Sequence, residues 1–184
     1  MNKSDVFKIL KTAFSLFLIC AVAAGILAFI NSVTSPIIET NDQKAADESR
    51  LQVLPEAKEF QLKENEGKAY YEGLSDGNTV GFVFTTESAG YGGAVRIMTG
   101  IDSEGKVTGI SILSINETPG LGMNAKKDSF LSQYAGSEGP FTVIKNDKPE
   151  ENEILAITSA TITTNAVTKA VNEAKALFEE VKEG

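Results

Sequence analysis

Residues 94–114 read AVRIMTGIDSEGKVTGISILS. Two runs rich in β-branched and apolar residues, Ala94–Ile101 and Lys106–Ser114, flank Asp102-Ser103-Glu104-Gly105. Strand, glycine-containing turn and strand in that order predict a β-hairpin. Upstream, Val80–Thr86 reads as another strand, within a stretch from 67 to 115 that consists of short β-rich runs. Downstream, Phe141–Lys145 and Ile154–Ile157 are short strands, and Lys126–Tyr134 suits a short helix. The C-terminus is an amphipathic helix. Val167, Val171, Ala174, Leu177 or Phe178, and Val181 recur at steps of three and four, while Lys169, Glu173, Lys175, Glu179, Glu180 and Lys182 take the other faces. Such a stripe must be buried, and a sheet face is the available partner. The expected fold is α+β, a mostly antiparallel sheet packed by helices.

The N-terminus adds a different element. Thr12–Ile30, TAFSLFLICAVAAGILAFI, is 19 residues without a charge. As a helix it spans roughly 28 Å, close to the hydrocarbon thickness of a bilayer. Ala21-Val22-Ala23 could pass as a leader cleavage site, but the apolar run continues through Ile30, which suits an uncleaved transmembrane helix better. Lys3, Lys8 and Lys11 precede the run, and Glu39 and Asp42 are the first charges after it. The positive-inside rule then places the N-terminus in the cytoplasm and the rest outside. Pro36–Leu54 reads as a juxtamembrane helix, with Pro36 in its first turn and Pro55 as its stop. The expected organisation is a stub and anchor at 1–31, a juxtamembrane helix or linker at 32–56, and an extracytoplasmic domain at 57–184.

Composition narrows the chemistry. The 184 residues carry 17 Lys+Arg and 25 Asp+Glu, for a net charge of −8. Three of the basic residues and one of the acidic ones precede the anchor, which leaves the outer part at −10. No basic face is on offer for nucleic acid. There is no histidine and one cysteine, Cys20, inside the apolar run. Histidine- or cysteine-based catalysis, Cys-rich zinc sites and iron–sulfur clusters are excluded. A redox role would need an organic cofactor, and no spacing supports a Ser–Lys or carboxylate hydrolase.

Three loops stand out. Gly90-Tyr91-Gly92-Gly93 precedes the hairpin, without the spacing of a nucleotide phosphate loop. Asn116-Glu117-Thr118-Pro119-Gly120-Leu121-Gly122 follows it, and Thr-Pro-Gly-Leu predicts a type II turn with positive φ at Gly120. Thr158-Ser159-Ala160-Thr161-Ile162-Thr163-Thr164-Asn165 leads into the C-terminal helix. Five of those eight residues carry a hydroxyl, which satisfies the needs of an N-cap. A helix N-terminus also favours a phosphate, and a hydroxyl there could carry a phosphoryl group. Spacing alone does not choose between these uses, nor among the threonines.

These motifs resemble those of the G subunit of the Rnf complex and, more distantly, the C subunit of the Na⁺-translocating NADH:quinone oxidoreductase. The resemblance rests on Glu117-Thr118-Pro119-Gly120-Leu121-Gly122, on Gly90–Gly93 running into Ile97-Met98-Thr99-Gly100-Ile101-Asp102, and on Thr158-Ser159-Ala160-Thr161. It implies an FMN-binding domain with FMN attached covalently, through a phosphoester, to Thr161. Thr158, Ser159 and Ala160 would surround the attachment point, and Glu117, Thr118, Gly120, Leu121 and Gly122 would lie beside the cofactor. It further implies a membrane-bound electron carrier working with the other Rnf subunits, and a separate flavin transferase for maturation. The family pattern has Asp and Gly where this chain has Leu155 and Ser159. A membrane-tethered assembly or binding module without attached flavin is the alternative reading.

Overall fold

The computed structural model describes residues 3–145 and 148–183. The side chains of Lys3, Lys8 and Glu39, which enter the charge pattern above, lie outside the described ones. The chain divides into two compact units, Met1–Lys44 and Ala45–Gly184.

The first unit is helix. α1 runs Lys3–Val53, and its apolar side chains from Phe14 through Ile30 are exposed. It is the one described helix long and apolar enough to cross a membrane. Pro36 does not begin a new helix; it lies inside α1. Hydroxyls on both sides of it bond helix carbonyls: Ser32 Oγ donates to Phe29 O at 2.8 Å, Thr34 Oγ1 to Ile30 O at 2.7 Å and Thr40 Oγ1 to Pro36 O at 2.8 Å. Such back-bonding loosens the ladder locally and lets a helix accommodate a proline.

The second unit is built on a five-stranded antiparallel meander in the order β1 (Glu59–Asn65), β2 (Lys68–Ser75), β3 (Asn78–Ala89), β4 (Ala94–Asp102), β5 (Val107–Ser114). The hairpin expected from the sequence is β4–β5, with Ile97 opposite Ile112 and Thr99 opposite Ile110. Pleating sends Val95, Ile97 and Ile101 into one core cluster and Met98 into another. The first cluster lies under α3 (Thr161–Glu183), which buries Val167, Ala170, Val171, Ala174 and Phe178. Thr86 Oγ1 fixes the contact by donating to Ala170 O at 2.8 Å. Of the two candidates at the stripe's next position, Phe178 is buried and Leu177 only partly so.

The opposite face receives the end of α1. Val53, Leu54 and Ala57 pack there with Val83 and Met98. Glycines make room: a Cβ at Gly100 would fall 2.2 Å from Val53 O, and one at Gly73 2.5 Å from Leu54 Cδ2. The Thr108 hydroxyl donates to Val53 O.

Between β5 and α3 the chain is less regular than the sequence implies. The helix expected over Lys126–Tyr134 is instead a 3-10 turn (Gly122–Lys126), one turn of α-helix, α2 (Asp128–Leu131), and another 3-10 turn (Ser132–Tyr134). Extended backbone at Lys127 (ψ 138°) separates the first two. β6 (Thr142–Ile144) and β7 (Glu153–Leu155) pair in parallel. Tyr134 anchors this region, edge-on to Phe130 and Phe141 and hydrogen-bonded to Thr168 Oγ1 at 2.8 Å.

Candidate functional site

Three loops converge at the N-terminal end of α3. The β3–β4 connection carries Tyr91. The segment after β5 carries Glu117, Thr118, Leu121 and Gly122. The start of α3 carries Ser159, Ala160, Thr161, Ile162 and Thr163. Together they line a cleft of ≈ 490 Å³.

The β5–α2 segment takes its shape from local chemistry. Leu121 N–H donates to Thr118 O at 3.2 Å, and Gly120 has φ 77°, the type II turn that Thr-Pro-Gly-Leu demands. The turn returns the chain so that Gly122 packs against Glu117, where a Cβ would fall 2.7 Å from Glu117 Cβ and from Thr163 Oγ1. The Glu117 carboxylate is buried, with 8% of the residue exposed. Its Oε1 accepts the backbone N–H of Tyr91 at 2.7 Å and of Gly92 at 3.3 Å. Charge-assisted bonds of this kind meet the carboxylate's need for partners when it leaves water.

The glycines of the Tyr91 loop are explained by the same contact. A Cβ at Gly90 would lie 2.4 Å from Glu117 Oε1, and one at Gly92 2.1 Å from Asn116 O. Gly90 N–H closes the loop on Gly93 O at 2.8 Å, and Asn116 Nδ2 donates to Gly92 O at 3.3 Å. Only glycine lets the two loops approach so closely.

At the helix start the hydroxyls divide by burial. Thr163 and Thr164 are 1% and 0% exposed. Thr164 Oγ1 accepts the Ile157 N–H at 3.1 Å and donates to Ala160 O at 3.0 Å, so it locks the turn that precedes the helix. Within that turn Ala160 N–H donates to Ile157 O at 2.9 Å, and Ser159 adopts φ 61°. The resemblance implies glycine at the position of Ser159, and the positive φ gives the reason glycine would suit it. Thr161, the first residue of α3, is half-buried and faces the cleft. The first N–H groups of a helix have no intrahelical acceptor, so its hydroxyl stands at an anion-favouring end.

Of the residues singled out in the sequence, Glu117, Thr118, Leu121, Gly122, Ser159, Ala160 and Thr161 therefore share one cleft. Gly120 and Thr158 line a neighbouring hollow of ≈ 520 Å³, which also contains Lys127 and Leu155 and shares Leu121 and Ser159 with the cleft. Leu155 is held there by Gln133, whose Oε1 accepts the Leu155 N–H at 2.7 Å. Tyr91, Ile162 and Thr163 complete the cleft wall, although the sequence does not single them out as site residues. The Gly90–Gly93 motif is the signal that points to Tyr91. Ile162 and Thr163 give none beyond following Thr161. Among the described residues no group of His, Cys, Asp and Glu could hold a metal ion.

Comparison with known proteins bears on the class first. Residues 90–176, which supply every wall of the cleft, match the FMN-binding domain family, and residues 1–53 match the RnfG N-terminal region. The fold is that of two solved NqrC structures. The Shewanella oneidensis protein superposes with a TM-score of 0.54 at 15% identity, covering 74% of each chain. The Parabacteroides distasonis protein superposes with a TM-score of 0.52 at 20% identity, covering 64% of this chain and 73% of that one. The G subunit of the proton-translocating ferredoxin:NAD(+) oxidoreductase complex of Clostridium ljungdahlii is 35% identical over 94% of this chain and 91% of its own. Its counterpart from the Na(+)-translocating complex of Acetobacterium woodii is 39% identical over 89% and 88%. The chain belongs to the RnfG family, the G subunits of ion-translocating ferredoxin:NAD⁺ oxidoreductase (Rnf) complexes. Its long apolar helix fits a single membrane crossing.

Proposed function

We propose that the chain is an electron-transfer subunit of a membrane-bound Rnf-type complex and relays electrons through FMN joined to the Thr161 hydroxyl by a phosphoester. The observation that carries this reading is the position of Thr161. It is the threonine of the helix start that is both accessible and in the cleft, since Thr163 and Thr164 are buried and Thr158 lies in the neighbouring hollow. The cleft has the size of a cofactor site and mixes apolar walls (Tyr91, Leu121, Ile162) with polar ones (Glu117, Thr118). When bound, the isoalloxazine supplies the redox chemistry. The protein's own part is to hold the phosphodiester at the dipole end of α3 and to shield one side of the ligand. The nearby carboxylate serves the Tyr91 loop.

The lysines before the apolar run support a cytoplasmic N-terminus and an extracytoplasmic cleft. A covalent tether suits that location, where lost flavin could not easily be recovered. Attachment would be the work of a flavin transferase, and the electron partners would be other subunits of the complex. Leu155, which replaces the family's Asp, favours a second reading, an assembly module that escapes flavinylation.

Intact mass and in-gel fluorescence under denaturing conditions, on protein made alongside a competent transferase, decide between the two. The first reading expects an increment of one FMN less water that disappears in Thr161→Ala. An increment that persists in the variant moves the tether elsewhere, and none in wild type favours the assembly module.

A further inference from the structure

Glu117 is the one acidic side chain among the described residues of the cleft wall, and its bonded oxygen is turned toward the backbone of the Tyr91 loop. The loop is fixed at four points: Tyr91 N–H and Gly92 N–H on Glu117, Gly90 N–H on Gly93 O, and Gly92 O on Asn116. Gly90 and Gly92 are too close to their neighbours to carry a side chain. All of this holds in place a tyrosine that is 73% exposed. The constraint therefore holds a large uncovered ring at one fixed place on the cleft wall. Tyr91 is also the one aromatic residue among those described that lines the cleft. Aromatic side chains cover flat ring systems with little loss of conformational freedom, having two rotatable bonds, and a fixed backbone lowers the loss further.

We infer that Tyr91 is the wall against which the flavin ring stacks, and that Glu117 is the positioning residue that sets this wall by gripping its backbone. The inference rests on the Thr161 reading and goes beyond it by giving Glu117 a task away from the ring's electron chemistry. It also accounts for the joint presence of Gly-Tyr-Gly and the Glu that opens the Glu-Thr-Pro-Gly-Leu-Gly segment: Gly90 admits the carboxylate and Gly92 the loop backbone at Asn116 that precedes it.

The test uses the full chain, loaded by a competent transferase, with the FMN content of every sample fixed by intact mass. Emission per bound flavin and visible circular dichroism are then compared, since an electron-rich ring stacked on a flavin quenches its emission and makes its environment asymmetric. Tyr91→Leu should raise emission several-fold and weaken the dichroism, whereas Tyr91→Phe, whose ring can still stack but is a much poorer electron donor, should raise emission while keeping most of the wild-type dichroism. Glu117→Ala should reproduce the Tyr91→Leu spectrum, while Glu117→Gln, which keeps an acceptor oxygen, should restore it. Tyr91 lies on the surface, so its variants fold whatever becomes of Glu117→Ala. Full FMN mass with wild-type emission in Tyr91→Leu overturns the stack and leaves Tyr91 as a surface for another subunit. Wild-type emission in Glu117→Ala overturns the positioning role. Absence of FMN mass in wild type removes the Thr161 reading and this inference with it.

Discussion

The Thr164 hydroxyl accepts the Ile157 N–H at 3.1 Å and donates to Ala160 O at 3.0 Å, bridging the turn that delivers Thr161 to the cleft. Thr164→Val keeps the side-chain shape and removes both bonds. The Ile157 N–H is then left without its acceptor, which costs about 1–3 kcal/mol. Chemical denaturation should show that loss. An unchanged midpoint would mean the turn is held by other groups.

Ser159 occupies the left-handed region at φ 61°. Strain there is of order 1–3 kcal/mol for a residue with a Cβ, and glycine gives part of it back through its larger unfolded-state entropy. Ser159→Gly should therefore raise stability by about 0.5–1 kcal/mol. Ser159→Val should lower it. A thermal melt ordering the three proteins differently contradicts the assignment.

Val171 is fully buried between α3 and the sheet. Val171→Asp places a charge there with no partner and should cost about 3–5 kcal/mol, enough to unfold a marginal domain. Wild-type stability in that variant would mean α3 does not pack as described.

Tyr134 is buried in the main core, and burial pushes its phenol above the ordinary tyrosine value. The folded state therefore holds a proton that the unfolded state releases above about pH 10. Stability is flat with respect to this group below that pH and falls as pH rises toward the raised folded value, by up to about 1.4 kcal/mol per unit. Tyr134→Phe gives up the bond to Thr168 but should flatten the alkaline slope. An equally steep slope in the variant would assign it to other groups.

Features set by neighbouring residues are legible in the sequence. The β4–β5 hairpin, the type II turn at Thr118–Leu121 and the α3 stripe each depend on a period or a turn signal a few residues long. β1 is not legible, because EFQLKEN is an edge strand with little burial and hence no alternating pattern. Pro36 reads as a helix start, the commoner use of proline, whereas hydroxyls on either side accompany its place inside α1. The division of labour among Thr161, Thr163 and Thr164 depends on which face of α3 meets the protein, and spacing carries no record of that. The grip of Glu117 on Tyr91 joins residues 26 apart and is equally invisible.

The meander has a kinetic consequence. Every strand pairs with its neighbour in sequence, so the sheet can close through short hairpin loops. α3 must cross the whole span from β3 and β4 to reach the same core. Loop-closure entropy and topology favour the local pairings early and the distant docking late. Substitutions in the β4–β5 hairpin should therefore slow refolding, whereas substitutions on the buried side of α3 should chiefly quicken unfolding. The Thr161 hydroxyl, at the tip of the last element to dock, becomes correctly placed at the end of the folding reaction, so under the proposed attachment a modifying enzyme that requires this cleft would meet only chains whose folding is complete.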